Sequence, residues 1–582
     1  MDDDAYSGGD PGVDQSEVHV RHAPFVRETI EPMKEPASRD HPMSERREHH
    51  SSLAPFRLPL FRGLWTANVL STIGGYINDV GAAWLMTSLS SSPLMVSLIQ
   101  VAANAPFFLL ALPGGALGDI LNKRKLLLVT QIAMMVLSVL LGVLTLLGLV
   151  SPVSLLLILF MVEVFDALAG PAWQTIIPEM VDRKDMRAAI TLNSVGMNVA
   201  RALGPALGGA LVAIAMTSGP AFLINAASFL GVIAFLWFWK RRAEPSALPA
   251  ERLLGAMRIG VRFVRYAPRF RATLVRIGAF VLFGSALSTL LPVIARSHLH
   301  RGPGGYGALL GFMGVGAVAV VPVLQHAQRM MRVDVLLAIA TAISGSVELA
   351  IAGIHSFPVL CGVMFIAGVA WVTVMSSLNN AAQSVLPAWV RARAMSVYLM
   401  VFFGAMTAGG LVWGLIATRF GAPMAMTVAA CGMFATLVLI PRFRLTDHEK
   451  LDLAPSFHWP APMLVHAPQG DRGPVLITVE YQIDPKHAVE FIKVMQRLRR
   501  QRMRTGAFRW GLFNYAADST RFVETFLSES WAEHVRQHAR VTMADRELED
   551  VIAAFHLGPG KPVVRHLIHT DPEALHGSVM RL

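Results

Sequence analysis

A chain of 582 residues that is 53% hydrophobic and only 16% charged, with a mean hydropathy of +0.49, carries too much apolar surface for an ordinary water-soluble protein. Its formal charge of +11 would suit nucleic acid if it lay on a soluble face, but the basic residues cluster between apolar runs and so report topology, not DNA or RNA binding. Cys361 and Cys431 each sit inside an apolar segment, which excludes a disulfide framework and a thiolate metal centre.

Residues 1–55 are polar and rich in His, Glu, Arg and Pro, a composition that buries too little apolar surface to offset its ordering entropy. A disordered tail is expected there. It has no basic segment followed by an apolar core, so no cleavable signal peptide is expected. Apolar stretches follow at about 62–87, 93–117, 125–149, 152–177, 189–216 and 219–239, each near the roughly 20 residues that cross about 30 Å of hydrocarbon. They make a first six-helix half over 56–240. A second half over 273–445 has stretches at about 273–296, 305–324, 334–354, 357–379, 395–419 and 421–440, several rich in Gly and Ala for close helix contact. The fold class this predicts is an all-α polytopic membrane protein of twelve crossings in two six-helix repeats, with both termini on one side.

The loops orient it. Lys123, Arg124 and Lys125; Arg183, Lys184 and Arg187; Arg329 and Arg332; and Arg391 and Arg393 fall on one side, which is expected to be cytoplasmic. The connector 241–272 adds Arg241, Arg242, Arg252, Arg258, Arg262, Arg265, Arg269 and Arg271. Within it Leu253, Leu254, Met257, Val261 and Val264 recur at helical spacing opposite the arginines, the pattern of an amphipathic helix lying on anionic membrane lipid.

An internal repeat supports the two halves. Ala172, Gln174, Thr175, Ile176, Ile177, Pro178, Val181 and Met186 match Ala381, Gln383, Ser384, Val385, Leu386, Pro387, Val390 and Met395 at a constant offset of 209, that is 383 minus 174. Between helices two and three runs Gly115, Ala116, Leu117, Gly118, Asp119, Ile120, Leu121, Asn122, Lys123, Arg124, Lys125. This run resembles the loop motif of the major facilitator superfamily. Ile120 stands where that motif has a base, and Asn122 where it has a second glycine; Asn tolerates the left-handed backbone glycine would supply. The resemblance implies a gating role for Gly115, Gly118, Asp119, Lys123 and Arg124. In helix five Gly204, Pro205, Gly208 and Gly209 form G-P-x-x-G-G, which resembles the motif of drug and proton antiporters. Phe165, Asp166, Pro171, Gln174, Pro178, Glu179, Asn193, Gly204 and Pro205, with Gly260 to Tyr266, are similar to the enterobactin-exporter branch over about residues 56–445. What this resemblance implies is a secondary exporter of siderophore-like or amphipathic drug-like small molecules, driven by protons, in a bacterial plasma membrane. An importer of the same fold is the alternative.

Ionisable residues at membrane depth are costly and usually face a cavity or one another. They are Asp79 in helix one, Glu163 and Asp166 in helix four, Arg201 in helix five and Glu348 in helix nine. An acid that alternates between pairing with Arg201 and holding a proton is the simplest coupling device, and a static salt bridge is the alternative. Glu348, on a helix peripheral in this fold, reads as structural. Asp79 shares a helical stripe with Asn68 and Thr72, which together with Gln174 and Gln383 of the repeat are candidates for the substrate path.

After a polar linker at 446–473 the periodicity changes. Val475, Ile477, Val479 and Tyr481 alternate as a strand, and Val489, Phe491, Ile492, Met495 and Leu498 recur as a helix. Two strands near 510–515 and 522–527, a helix over 531–555 and a strand over 563–568 complete a βαββαβ unit of ferredoxin-like type across 474–570, ahead of a tail at 571–582. This pattern resembles the antibiotic-biosynthesis-monooxygenase superfamily of dimeric α/β barrels, so a membrane-tethered enzyme is a competing function. No flavin fingerprint or haem-attachment cysteine pair appears. The expected role is a regulatory or dimerising module with no catalytic residues and no cofactor. His534 and His538 share a helix face at i and i+4, a spacing that can hold a metal. No third ligand is evident in the sequence, so no metal is expected.

Overall fold

The computed structural model describes residues 54–120, 122–181, 185–239, 253–445, 452–459 and 472–569. The tail expected to be disordered lies almost wholly outside the described residues, as do Arg183, Lys184, the start of the connector, most of the linker and the final 571–582.

Six helices form the first half: α1 Pro59–Leu89, α2 Pro93–Ile120, α3 Lys123–Leu146, α4 Pro152–Met180, α5 Met186–Ala215 and α6 Gly219–Phe238. Proline opens α1 and α4, where its missing N–H costs nothing and its fixed φ is already helical. At α4 the Ser151 and Ser154 side chains each accept from the other's backbone N–H and close a capping box. The connector holds α7 Leu253–Tyr266, the helix its apolar spacing predicts. The second half comprises α8 Pro268–Ser297, α9 Pro303–Ala319, α10 Val321–Met330, α11 Val333–Gly353, α12 Phe357–Ser384, α13 Arg391–Phe420 and α14 Ala422–Ala435, which runs through one 3-10 turn into α15 Leu439–Arg442.

Ten of the described helices are long and apolar enough to cross a bilayer, and eleven once α9 and α10 are joined across their 50° bend. The sequence predicts one straight span there. The chain bends instead because Pro322 sits in the first turn of α10, where it has no N–H to give to the preceding turn. The twelfth expected crossing, α1, has 31 residues but is not apolar enough to count among these spans. Its place in the bundle is fixed by glycines: a Cβ on Gly74 would meet Ser228 Oγ of α6 at 2.7 Å, and one on Gly204 of α5 would meet Tyr76 Cβ at 2.5 Å.

The soluble domain has β1 Val475–Gln482, α16 Ala488–Thr505, β2 Arg509–Tyr515, β3 Asp518–Ser528, α17 Trp531–Arg540, α18 Met543–Ala553 and β4 Val563–Ile568. Its antiparallel sheet has the order β2-β3-β1-β4. Val475, Ile477, Val479 and Tyr481 turn inward onto Phe491, Met495, Leu498 and Trp531. The single helix predicted over 531–555 is two. Thr542 accepts from the Asp545 N–H and starts α18 afresh, while linker residues 452–459 lie against the break, with Ser456 N donating to Val541 O at 2.9 Å and Met543 N to Ala454 O at 3.0 Å.

The domain rests on the connector and on the α12–α13 turn. Arg262 of α7 lies 3.6 Å from Glu529 and 3.9 Å from Glu533, and the Arg540 guanidinium sits 4.8 Å over the Trp389 ring. We expect Arg262→Glu, which sets like charges against both carboxylates, to undock the domain. Hydrogen exchange measured by mass spectrometry should quicken in α7 and α17 and stay slow in β1 and β3; unchanged exchange in α7 would refute the contact.

Candidate functional site

The interior of the helical bundle concentrates the predicted acids. Glu163 and Asp166 lie three residues apart on α4 and so share a face, and Asp79 of α1 stands close enough for its charge to act on theirs. Asp79 keeps its side chain accessible to solvent. It also lies within electrostatic reach of Tyr306 of α9, a buried residue stacked 6.4 Å from Trp84. Asp79 thus lies near an aromatic pair made by Trp84 of its own helix and Tyr306 of the second half.

Arg201 is not brought to that cluster. Its Nε donates to Tyr76 OH at 3.3 Å, and among the described residues no ion pair joins it to Asp79, Glu163 or Asp166. Asn68 donates to Asn193 Oδ1 at 3.5 Å, linking α1 to α5. Thr72 turns its hydroxyl back onto Asn68 O at 2.8 Å. Gln383 is exposed at the far end of α12, where it donates to Asn379. The side chain of Gln174 lies outside the described residues. Glu348 is buried on α11, with Oε2 unpartnered among the described residues.

The glycine motif of α5 lies on the seam between the halves. A Cβ on Gly208 would meet Ile77 Cα at 3.0 Å, and one on Gly209 would meet Gly307 Cα at 2.6 Å and Pro303 O at 2.7 Å. Gly314 of α9 abuts Ala202 in the same way, at 2.5 Å. Only backbones without side chains pass this closely. A second seam joins α2 to α13: Leu94 N donates to Thr418 Oγ1 at 3.0 Å, and Phe107 stacks on Phe403 at 4.7 Å. Arg296 donates to Thr87 Oγ1 at 3.1 Å. The contacts near residues 87, 94, 209 and 418 lie at the helix ends away from α7, so this end of the bundle is sealed.

In the loop motif, Gly115, Gly118 and Asp119 fall on the last turns of α2, and their side chains lie outside the described residues. Arg124 reaches the end of α6, where its Nε donates to Leu236 O at 2.7 Å and its guanidinium to Trp237 O. Those are carbonyls a helix C-terminus leaves unsatisfied. Asn122 is not left-handed, as expected from its alignment with glycine. At φ −64° and ψ 106° it is the N-cap of α3, its side chain accepting from Lys125 N. A short polar side chain serves the turn by capping, not by backbone freedom.

The soluble domain contains a polar centre that the sequence did not disclose. Arg502 of α16 pairs with Glu524 at 3.1 Å and Glu549 at 2.8 Å, and lies 4.7 Å over the Trp459 ring. Glu549 also accepts from Trp459 Nε1 at 2.8 Å and Gln501 Nε2 at 2.7 Å, and meets His458 Nε2 at 3.0 Å. Burial works against its charge, but Arg502 and these hydrogen bonds hold its carboxyl below the ordinary range. Beside this network His534 and His538 of α17 are joined by His566 of β4, the third imidazole that the linear sequence hides.

Two halves of membrane-crossing helices, joined at the end away from α7 along the α5–α9 and α2–α13 seams, have the architecture of the major facilitator fold. Residues 50–574 match the family of transmembrane secretion effectors, and the chain belongs to that family. It is 23% identical over 415 residues to the multidrug efflux pump Tap of Mycolicibacterium fortuitum, covering 68% of this chain and 97% of the pump. It is 22% identical over 263 residues to the staphyloferrin A transporter of Staphylococcus aureus (strain NCTC 8325 / PS 47), covering 45% of this chain and spanning 65% of that protein's length. Among solved structures it is similar to a bacterial homologue of the human lysosomal transporter Spinster, inward-facing and unoccupied, with a TM-score of 0.51 and 16% identity over 67% of this chain and 95% of that one; that likeness is one of fold. The matched family and these relatives are secretion and transport proteins.

Proposed function

We infer that the protein exports amphipathic, siderophore-like or drug-like small molecules across a bacterial plasma membrane in exchange for protons, by alternating access, with the connector face and both termini in the cytoplasm. The observation that carries the reading is the triad Asp79, Glu163 and Asp166, without a cationic partner among the described residues. Carboxyls kept at membrane depth at such cost are suited to taking up and releasing protons. Support for export comes from the G-P-x-x-G-G motif at the α5 seam and from the name of one relative, an efflux pump; the staphyloferrin A transporter supports the class of cargo. The basic loops support a cytoplasmic connector.

Everted membrane vesicles test direction and coupling together. With the lumen acidified, they should accumulate a cationic dye or a carboxylate siderophore, and a protonophore should abolish the accumulation. Uptake by right-side-out vesicles under an inward proton gradient would favour import instead.

A further inference from the structure

We propose that the soluble domain binds one first-row divalent transition-metal ion, of which Zn²⁺ best suits the geometry, through the imidazoles of His534, His538 and His566. The proposal is independent of what the helical bundle carries.

Three features support it. The first is geometry. His534 Nε2 and His538 Nε2 face each other at 3.3 Å. With Zn–N bonds of about 2.0–2.1 Å, two nitrogens on one tetrahedral ion stand about 3.3–3.4 Å apart. One atom from each of the three rings falls within 4.8 Å of the other two. The remaining gap is closed by rotating His566, which stands on β4 at the edge of the sheet.

The second feature is the donor chemistry. Imidazole suits zinc, copper, nickel and iron, and three such ligands leave a further position for water or a small ligand. A neutral imidazole offers one ring-nitrogen lone pair to such an ion. The Nδ1 of His534 is buried with no hydrogen-bond partner among the described residues, which leaves Nε2 as the nitrogen turned toward His538.

The third is the frame. Spacing i and i+4 aligns His534 with His538 on α17, and pairing of Ile477 with His566 puts the latter on the inward face of the sheet. Trp531 lies 5.6 Å from His534 and 5.9 Å from His566, and Trp459 meets His538 edge-on at 4.9 Å. These indoles fix the rings and limit water. Arg502 is the one nearby cation that would oppose a metal, and Glu524 and Glu549 already neutralise it. The ligand helix α17 also carries Glu533 and Arg540, which touch the connector and the α12–α13 turn.

The test uses the full chain without an affinity tag, purified in detergent, stripped with chelator and titrated with Zn²⁺ and Co²⁺. One equivalent of metal should bind, Co²⁺ should give the visible d–d bands of nitrogen ligation, and Zn²⁺ should raise the melting temperature. His538→Ala and His566→Gln should each weaken binding by at least about 100-fold, since even partners outside the ligand set cost 10–100-fold. His487→Ala, outside the cluster, should bind as the parent does. Equal melting temperatures of the metal-free parent and His566→Gln would show the fold intact. Absence of stoichiometric binding, or binding unchanged in a His534→Ala/His538→Ala/His566→Ala chain, would overturn the site and leave a packed trio of imidazoles in which only His534 and His538 are hydrogen-bonded.

Discussion

Gly209→Val is expected to slow transport by about 5- to 150-fold while leaving both halves inserted and folded. A Cβ at this position would lie 2.6 Å from Gly307 Cα and 2.7 Å from Pro303 O, so the obstacle is backbone and cannot swing aside. The strain falls only on the arrangement in which α5 and α9 touch, that is, with the end away from the connector sealed. Overpacking costs about 1–3 kcal/mol, and charged to one state alone it lowers that state's population by about 5- to 150-fold. Alternating access needs that state once in every cycle, so turnover falls with it. Gly362 of α12, where a Cβ would meet nothing within 4 Å, supplies the control: Gly362→Val should transport normally. Transport by reconstituted Gly209→Val at the parental rate would show that the α5–α9 seam opens no part of the cycle.

The sequence discloses features that depend on local pattern and hides those that depend on how helices turn toward one another. Apolar runs marked the crossings within a few residues, because bilayer thickness sets their length. The bend after Ala319 was hidden by unbroken apolarity, although Pro322 was in view. The strand and helix order of the soluble domain was legible from its change of period. The break at Thr542 was not, because it relies on residues 452–459 arriving from the linker to take its backbone hydrogen bonds. Asp79, Glu163 and Asp166 stood out as charges in hydrocarbon, but the partner of Arg201 did not. Its bond to Tyr76 follows from the rotation of α1 against α5, which Gly204 sets by closeness. His566 was missed because its partners lie on α17, across the fold. The signal available was parity: His566 alternates with Val564 and Ile568, which pair with the inward positions Val479 and Val475 of β1.

The acid triad yields the second large effect, and it is best read from a slope rather than a rate. One pH unit is worth about 1.36 kcal/mol per proton, so each proton exchanged per substrate molecule multiplies the accumulation ratio by about ten for every unit of gradient. In the parent, the logarithm of accumulation plotted against the pH difference should therefore rise with a slope of at least about one. Asp79→Asn/Glu163→Gln keeps the size and hydrogen-bonding capacity of both side chains but removes two of the three ionisable carboxyls. The slope should drop by about one, and substrate exchange without a gradient should continue, because the seams at Gly209 and Thr418 are untouched. Asp166→Asn separates the contributions within α4: if Glu163 and Asp166 share one proton, either substitution alone lowers the slope, and the pair lowers it no further. The carboxyls of α1 and α4 would be ruled out as the coupling device by a double variant that keeps the parental slope. A variant that loses exchange as well would instead assign them to the substrate path shared with Asn68 and Thr72.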